Sequence, residues 1–258
     1  MKPESKISVL FDRLLCAFFP RRCVYCGRLI VPERTVCEDC AANLPRITAP
    51  VCSFCGCTKA DCTCKQKKLK FDAVCAPFYY EKAIERAVHR FKFEDKDFLA
   101  RPFAQEIALA IHRDFAQQPF DVVTFIPFTK RQARSRAFNP SELLARETAR
   151  ALSLPCVPLL EKLFETETQH HLSQTARTGN VFGVYEVKDA AAVQDKRVLL
   201  IDDIKTTGAT LSECAKVLKI AGASSVHAAV FAVAKKKKGK TAHGSSGSGE
   251  NTGSGKGL

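Results

Sequence analysis

Apolar residues recur along this chain with two periods, and the change of period marks its parts. Ile7, Leu10, Phe11, Leu14, Leu15 and Phe18 follow helical spacing and predict an amphipathic helix that Pro20 stops. Basic residues are sparse on its polar face, so it is expected to dock on the rest of the protein rather than lie on a membrane. From Phe71 the pattern becomes α/β. Ala73 to Tyr80 predicts a strand, Glu81 to Phe91 and Phe98 to Phe115 predict helices, and Asp121 to Ile126 predicts a strand. Ser141 to Leu152 predicts a helix with Ser141 as its N-cap. Val181 to Val187 alternates as a strand does, and Val198-Leu199-Leu200-Ile201 is a continuous apolar run expected as the central, buried strand. Leu211, Cys214, Ala215 and Leu218 share one helical face, and Val226 to Val233 is expected to close the sheet. Strands alternating with helices define an α/β fold, a mostly parallel sheet flanked by helices.

Four parts follow from this pattern: the helix at 1–20, a cysteine-rich module with a basic linker at 21–70, the α/β domain at 71–234, and a tail at 235–258. The tail is Gly, Ser and Lys with almost no core formers, a composition expected to stay disordered. In the module, Cys23-x2-Cys26 and Cys37-x2-Cys40 form two knuckles. Cys52-x2-Cys55 and Cys62-x-Cys64 form a tighter pair, with Cys57 as a competing ligand. Zinc takes four thiolates in a tetrahedron, and a CxxC turn places two on one side. Few apolar residues lie here, so metal must supply much of the folding free energy. Cys16, Cys75, Cys156 and Cys214 stand among apolar neighbours and are expected to be inert core thiols.

The densest chemistry lies in IDDIKTTGAT, Ile201 to Thr210. Two carboxylates, Asp202 and Asp203, stand at the exit of the central strand. A turn of Thr206, Thr207, Gly208, Ala209 and Thr210 follows and leads into a helix. Backbone N–H groups in such a turn converge on a phosphate, and the start of the helix adds partial positive charge. Gly208 permits a backbone angle closed to other residues. Carboxylates repel a phosphate but suit ribose hydroxyls, directly or through a divalent cation with oxygen ligands. Acid pair and hydroxyl turn together describe a ribose 5-phosphate site. A Walker A loop is excluded: Ala234 stands where the leading Gly before Gly239-Lys240-Thr241 would be, and no strand and helix flank it.

This segment resembles the phosphoribosyl diphosphate (PRPP) signature of type I phosphoribosyltransferases. Over most of its length the chain resembles the ComF/GntX family, which joins a cysteine-rich zinc module to a phosphoribosyltransferase-like domain. The resemblance is carried in order by FPRRCVYCG with VCEDC, VCSFCG with CTC, HRFKFEDK, RSRAFN, QHHLSQTARTGNV and IDDIKTTGAT. It implies a double zinc ribbon with two structural Zn2+ ions, one on Cys23, Cys26, Cys37 and Cys40 and one on Cys52, Cys55, Cys62 and Cys64. It implies PRPP with Mg2+ at the acid pair and the turn. It makes the turn from Pro127 the pyrophosphate loop, with Lys130 and Arg131 as its cations, although a solvated basic loop is the plainer alternative. The polar stretch Glu161 to Asn180 becomes a lid, in which Gln169, Arg177 and Asn180 match the family pattern and Arg177 clamps the diphosphate. Lys92 matches a Lys-Phe element of the family, for which a packing role of its helix is the expectation. Arg136-Ala137-Phe138-Asn139-Pro140 departs from the family's Arg-Gly-Phe-Asn-Gln, which puts the second substrate in question.

Charge adds an anionic partner. The 258 residues carry a formal net charge of +13. The tail from Lys235 holds six Lys and one Glu, or +5, which leaves +8 on the body. A body that basic favours nucleotides and nucleic acid. The CxxC spacings, with no export signal and no apolar run of transmembrane length, point to metal in a reducing cytoplasm. The resemblance implies natural competence: uptake of single-stranded DNA, with a helicase-type translocase and a DNA-processing protein as partners. The alternative function is an active Mg-dependent phosphoribosyltransferase with an unknown acceptor, in which Asp202, Asp203 and Arg177 act in catalysis.

Overall fold

The computed structural model describes residues 20–31, 33–64, 69–94, 96–128, 137–163 and 184–235. The expected helix from Ile7 to Phe18, most of the basic linker and the tail past Lys235 lie outside the described residues. The helices and strands are α1 (Glu38–Asn43), β1 (Ala73–Cys75), β2 (Phe78–Tyr79), α2 (Ala83–Phe93), α3 (Ala100–Asp114), β3 (Val122–Phe125), α4 (Pro140–Leu152), β4 (Leu160–Lys162), β5 (Tyr185–Val187), β6 (Arg197–Lys205), α5 (Ala209–Ile220) and β7 (Ser225–Val233).

A parallel sheet runs β1, β7, β6, β3, and β2 also pairs with β7. The long run expected as the central strand is β6, held between β3 and β7. Three expectations need correction. The strand foreseen from Ala73 to Tyr80 is two short strands, because Pro77 between them has no N–H to give a ladder. The strand foreseen to close the sheet is interior, since β1 and β2 cover the far side of β7. The alternating stretch after Val181 contributes β5 alone among its described residues. It pairs antiparallel with β4 in a separate two-stranded sheet, Leu160 opposite Val187.

Both faces of the main sheet are covered, as a parallel sheet requires. Side chains alternate between the faces. Leu199, Ile201, Ala229 and Phe231 pack with Phe91 of α2, Phe103 and Ile107 of α3 and Leu144 of α4. Val198, Leu200, Val226, Ala228 and Val230 pack with Leu211, Cys214, Ala215 and Leu218 of α5.

The cysteine module is part of this core. Cys23, Tyr25 and Cys40 are buried in the first cluster. The Tyr25 ring meets Phe78 edge-on at 5.7 Å and stacks on Phe103 at 6.2 Å. Its hydroxyl donates to Glu106 at 3.0 Å, and Arg46 pairs with both oxygens of that carboxylate at 2.9 Å. Tyr25→Ala is expected to cost about 3 kcal/mol, as truncation of a buried aromatic does. Tyr25→Phe, which removes only the bond to Glu106, is expected to cost about 1 kcal/mol. Urea unfolding of the zinc-loaded protein measures both.

Candidate functional site

The acid pair and the hydroxyl turn lie at the carboxyl edge of the sheet, where open α/β sheets gather ligands. The strand runs further than its apolar run suggests. Pairing with β7 continues to Lys205 opposite Val233, so both acids sit within β6. Asp203 is 8% exposed, and its Oδ2 lies 2.6 Å from the Lys92 ammonium of α2. Asp202 is half-buried, and its Oδ1 accepts from the Ser141 hydroxyl at 2.8 Å and from the Asp203 N–H at 2.9 Å.

Ser141 is therefore not the N-cap of its helix. Asn139 caps α4: its side-chain oxygen accepts from the Ser141 N–H at 3.0 Å, and its amide nitrogen donates to the Ile126 carbonyl at 3.1 Å. Pro140 follows in the first turn, where its missing N–H costs nothing. The serine hydroxyl is left to reach Asp202. Lys92 is the residue whose contact the sequence pattern did not announce. It is half-buried on α2 and neutralises Asp203, and the Lys-Phe pair in HRFKF was the only local sign of it.

Burial and the neighbouring Asp203 charge push the Asp202 pKa up to about 7, against the pull of Ser141, the Asp203 N–H and Lys92. The folded protein thus keeps this proton to about pH 7, whereas an unfolded carboxyl releases it near pH 4. Its contribution to stability is full below about pH 4 and is lost as pH rises to about 7. Asp202→Asn is expected to flatten that decline, measured as the difference in thermal midpoint between variant and parent from about pH 5 to about pH 7.5.

The turn is open to solvent at Thr206, Thr207, Ala209 and Thr210, while Gly208 is buried. Gly208 has φ 80 and ψ 10 and begins α5. A Cβ there would meet Lys205 Cε at 3.0 Å, so both the angle and the close approach call for glycine. The Thr207 hydroxyl accepts from the Ala209 N–H at 3.3 Å. Beneath the turn, the buried Lys205 ammonium donates to the Cys55 carbonyl at 3.2 Å, tying the turn to the second cysteine knuckle. Lys130, Arg131 and Arg177 lie outside the described residues. The stretch holding Arg177 leaves at Leu163 and returns at Val184, where the Leu163 N–H donates to the Val184 carbonyl at 3.0 Å.

The eight cysteines foreseen as ligands come together in two sets of four, and within each set the sulfurs lie within 4.8 Å of one another. A tetrahedron with Zn–S bonds of about 2.3 Å has sulfur–sulfur edges of about 3.8 Å. Cys26 to Cys37, Cys52 to Cys64 and Cys55 to Cys62 are each 3.6 Å apart, and Cys62 to Cys64 is closer at 3.0 Å; the gathering of four sulfurs in each set suits two structural zinc ions. Burial opposes the Cys23 thiolate, but N–H groups of Cys26, Cys37 and Tyr25 outweigh it and bring its pKa down to about 7. Cys57 stands outside the second set. It is buried, and a hydrogen bond with Cys55 lowers its pKa, with burial opposing and the Lys205 charge adding to the effect. Burial raises the thiols of Cys75, Cys156 and Cys214. Among the described residues, no helix is long and apolar enough to cross a membrane.

Fold and sites define a class: a double zinc ribbon docked on a phosphoribosyltransferase-like domain. The double zinc ribbon domain family matches residues 14–76, and the phosphoribosyl transferase domain family matches residues 140–246. The chain is 25% identical to competence protein F of Haemophilus influenzae, over 81% of this chain and 95% of that one. It is 28% identical to the DNA utilization protein YhgH of Salmonella typhimurium, over 79% and 86%. It is 26% identical to competence protein ComFC of Bacillus subtilis, over 74% and 80%. The two domain matches in this order, with the likeness to competence protein F, YhgH and ComFC, support a ComF family protein.

Proposed function

We propose that this chain binds a phosphoribosyl ligand of the PRPP type together with single-stranded DNA, and that it serves natural competence in the cytoplasm. The observation that carries the reading is the pairing of a partly buried acid pair with a solvent-open hydroxyl turn at the carboxyl end of β6. A terminal phosphate meets the turn and the start of α5, and the sugar hydroxyls meet the carboxylates. The donor set suits Mg2+, a hard cation that takes carboxylate oxygens. Asp202 and Asp203 would hold it, and it would supply charge to a bound diphosphate. The relatives' names, competence protein and DNA utilization protein, support the biological setting. The net charge supports a polyanionic partner. In that setting a helicase-type translocase and a DNA-processing protein are the expected partners.

The test is calorimetric titration of PRPP with and without Mg2+, alongside fluorescence anisotropy of a labelled oligonucleotide on the same samples. Mg2+-dependent PRPP binding together with salt-sensitive strand binding is expected. No PRPP binding at any concentration removes the phosphoribosyl reading.

One observation favours a second reading, transfer of the phosphoribosyl group to an acceptor. Both acids are present, and Lys92 and Ser141 hold them in place. In such a reaction the bond from the anomeric carbon to diphosphate breaks, and the enzyme's work is electrostatic stabilisation of the leaving group. Arg177, Lys130 and Arg131 are the cations proposed for that role.

A further inference from the structure

The sequence carries two lysine runs, KQKKLK at 65–70 and KKKK at 235–238, whose described lysines are Lys70 and Lys235. Lys70 follows Leu69, which lines a cleft shared by the second cysteine knuckle and the hydroxyl turn, and Lys235 lines that cleft directly. Lys70 is exposed, and its backbone N–H donates to the Ser212 hydroxyl in the first turn of α5 at 3.0 Å. Lys235 follows β7 and lies 4.6 Å over the Tyr79 ring, with its ammonium 3.0 Å from Asp61.

The cleft is lined by Phe54 and Thr63 of the second ribbon, by Thr206 and Thr207 of the turn, and by Leu69 and Lys235. Neither Asp202 nor Asp203 is among its described lining residues. It adjoins the phosphate side of the candidate site, apart from the acids. Asp61 also lines it, but its carboxylate is engaged by the Tyr79 hydroxyl at 2.8 Å and by Lys235. Phe54 is 41% exposed, a large aromatic facing water in the middle of a metal knuckle.

We infer that this cleft carries a single strand of DNA past the hydroxyl turn. The inference rests on the strand-binding reading above and adds the path. A base stacks on Phe54, the backbone passes beside the turn that holds the PRPP phosphate, and Lys70 and Lys235 attract its own phosphates. An exposed aromatic beside a cationic track is the general device for unpaired strands, since every base offers a π-face. A duplex hides those faces, so the path discriminates against it.

The experiment uses the full zinc-loaded chain and a labelled oligothymidylate, with strand affinity read by anisotropy between about 50 and about 200 mM salt. Phe54→Leu keeps the bulk and removes the ring. It is expected to weaken strand binding about tenfold with the salt slope unchanged. The double variant Lys70→Ala/Lys235→Ala is expected to weaken binding and to lower the salt slope by about 1.4, at about 0.7 per phosphate on a single strand. PRPP affinity and zinc content are expected to match the parent in both, which shows that the fold is intact. If the parent binds the strand and neither variant differs from it, the path is wrong while the strand-binding reading stands. If Phe54→Leu keeps its zinc but loses PRPP and strand affinity together, the ring acts through the turn and the path is again wrong. A parent that binds no strand at low salt ends both.

Discussion

Replacing Asp202 and Asp203 together with alanine is expected to abolish PRPP binding and to leave salt-sensitive DNA binding largely intact. The two carboxylates are the only acceptors assigned here to the sugar hydroxyls. A hydrogen bond contributes about 1.5–3 kcal/mol to a charged group such as Asp203 and about 0.5–1.5 kcal/mol to a neutral one such as protonated Asp202, so losing both predicts a fall in affinity of about 1.5 to 3 orders of magnitude. Loss of a shared Mg2+ adds to it. Strand binding draws on lysines outside the pair, and removing negative charge does not weaken attraction for a polyanion. Lys92 and Ser141 lose their partners in this variant, so Asp202→Asn/Asp203→Asn is the companion, which retains shape and some hydrogen bonding. Calorimetry with PRPP and anisotropy with an oligonucleotide decide the matter. Equal loss of both activities means one shared site.

The second large effect concerns metal. The protein is expected to hold two zinc ions per chain, and Cys26→Ser or Cys55→Ser is expected to lose one of them. Structural zinc contributes apparent binding free energies of about 10–16 kcal/mol in small modules, about as much as the whole stability of an ordinary domain. Stripping both ions is therefore expected to unfold the module and to lower the thermal midpoint of the α/β domain that packs on it. Metal analysis by mass spectrometry, paired with calorimetric melting, measures both. One ion or none per chain overturns the double ribbon. The two sites are not equivalent in their reach. Cys55 offers its carbonyl to Lys205 beneath the turn, so loss of the second ion is expected to weaken PRPP binding more than loss of the first.

What the sequence disclosed was whatever short-range pattern encodes. Gly208 declared its positive φ through its place between a strand pattern and a helix pattern, and β6 declared itself through an unbroken apolar run. The cysteine sets were legible because zinc geometry imposes spacing on sequence. The contacts that hold the acids were not legible. Lys92 reaches Asp203 from another helix, and Ser141 reaches Asp202 only because Asn139 takes over the capping that Ser141 was expected to do. Strand order was hidden for a related reason. Hydrophobic periodicity shows that β7 is buried, but it does not say which neighbours lie on each side. Pro77 could have warned of the break between β1 and β2, since proline seldom sits inside an interior strand.

The seating of Tyr25 against Phe78 and Phe103 has a consequence for how this protein can evolve. The cysteine module is no detachable accessory. A descendant that shed it would bare an aromatic hollow on α3 to water and leave Glu106 without Arg46, inviting self-association. The two halves are thus bound to one inheritance, and a lineage short of zinc must re-upholster that hollow before it can dispense with the metal.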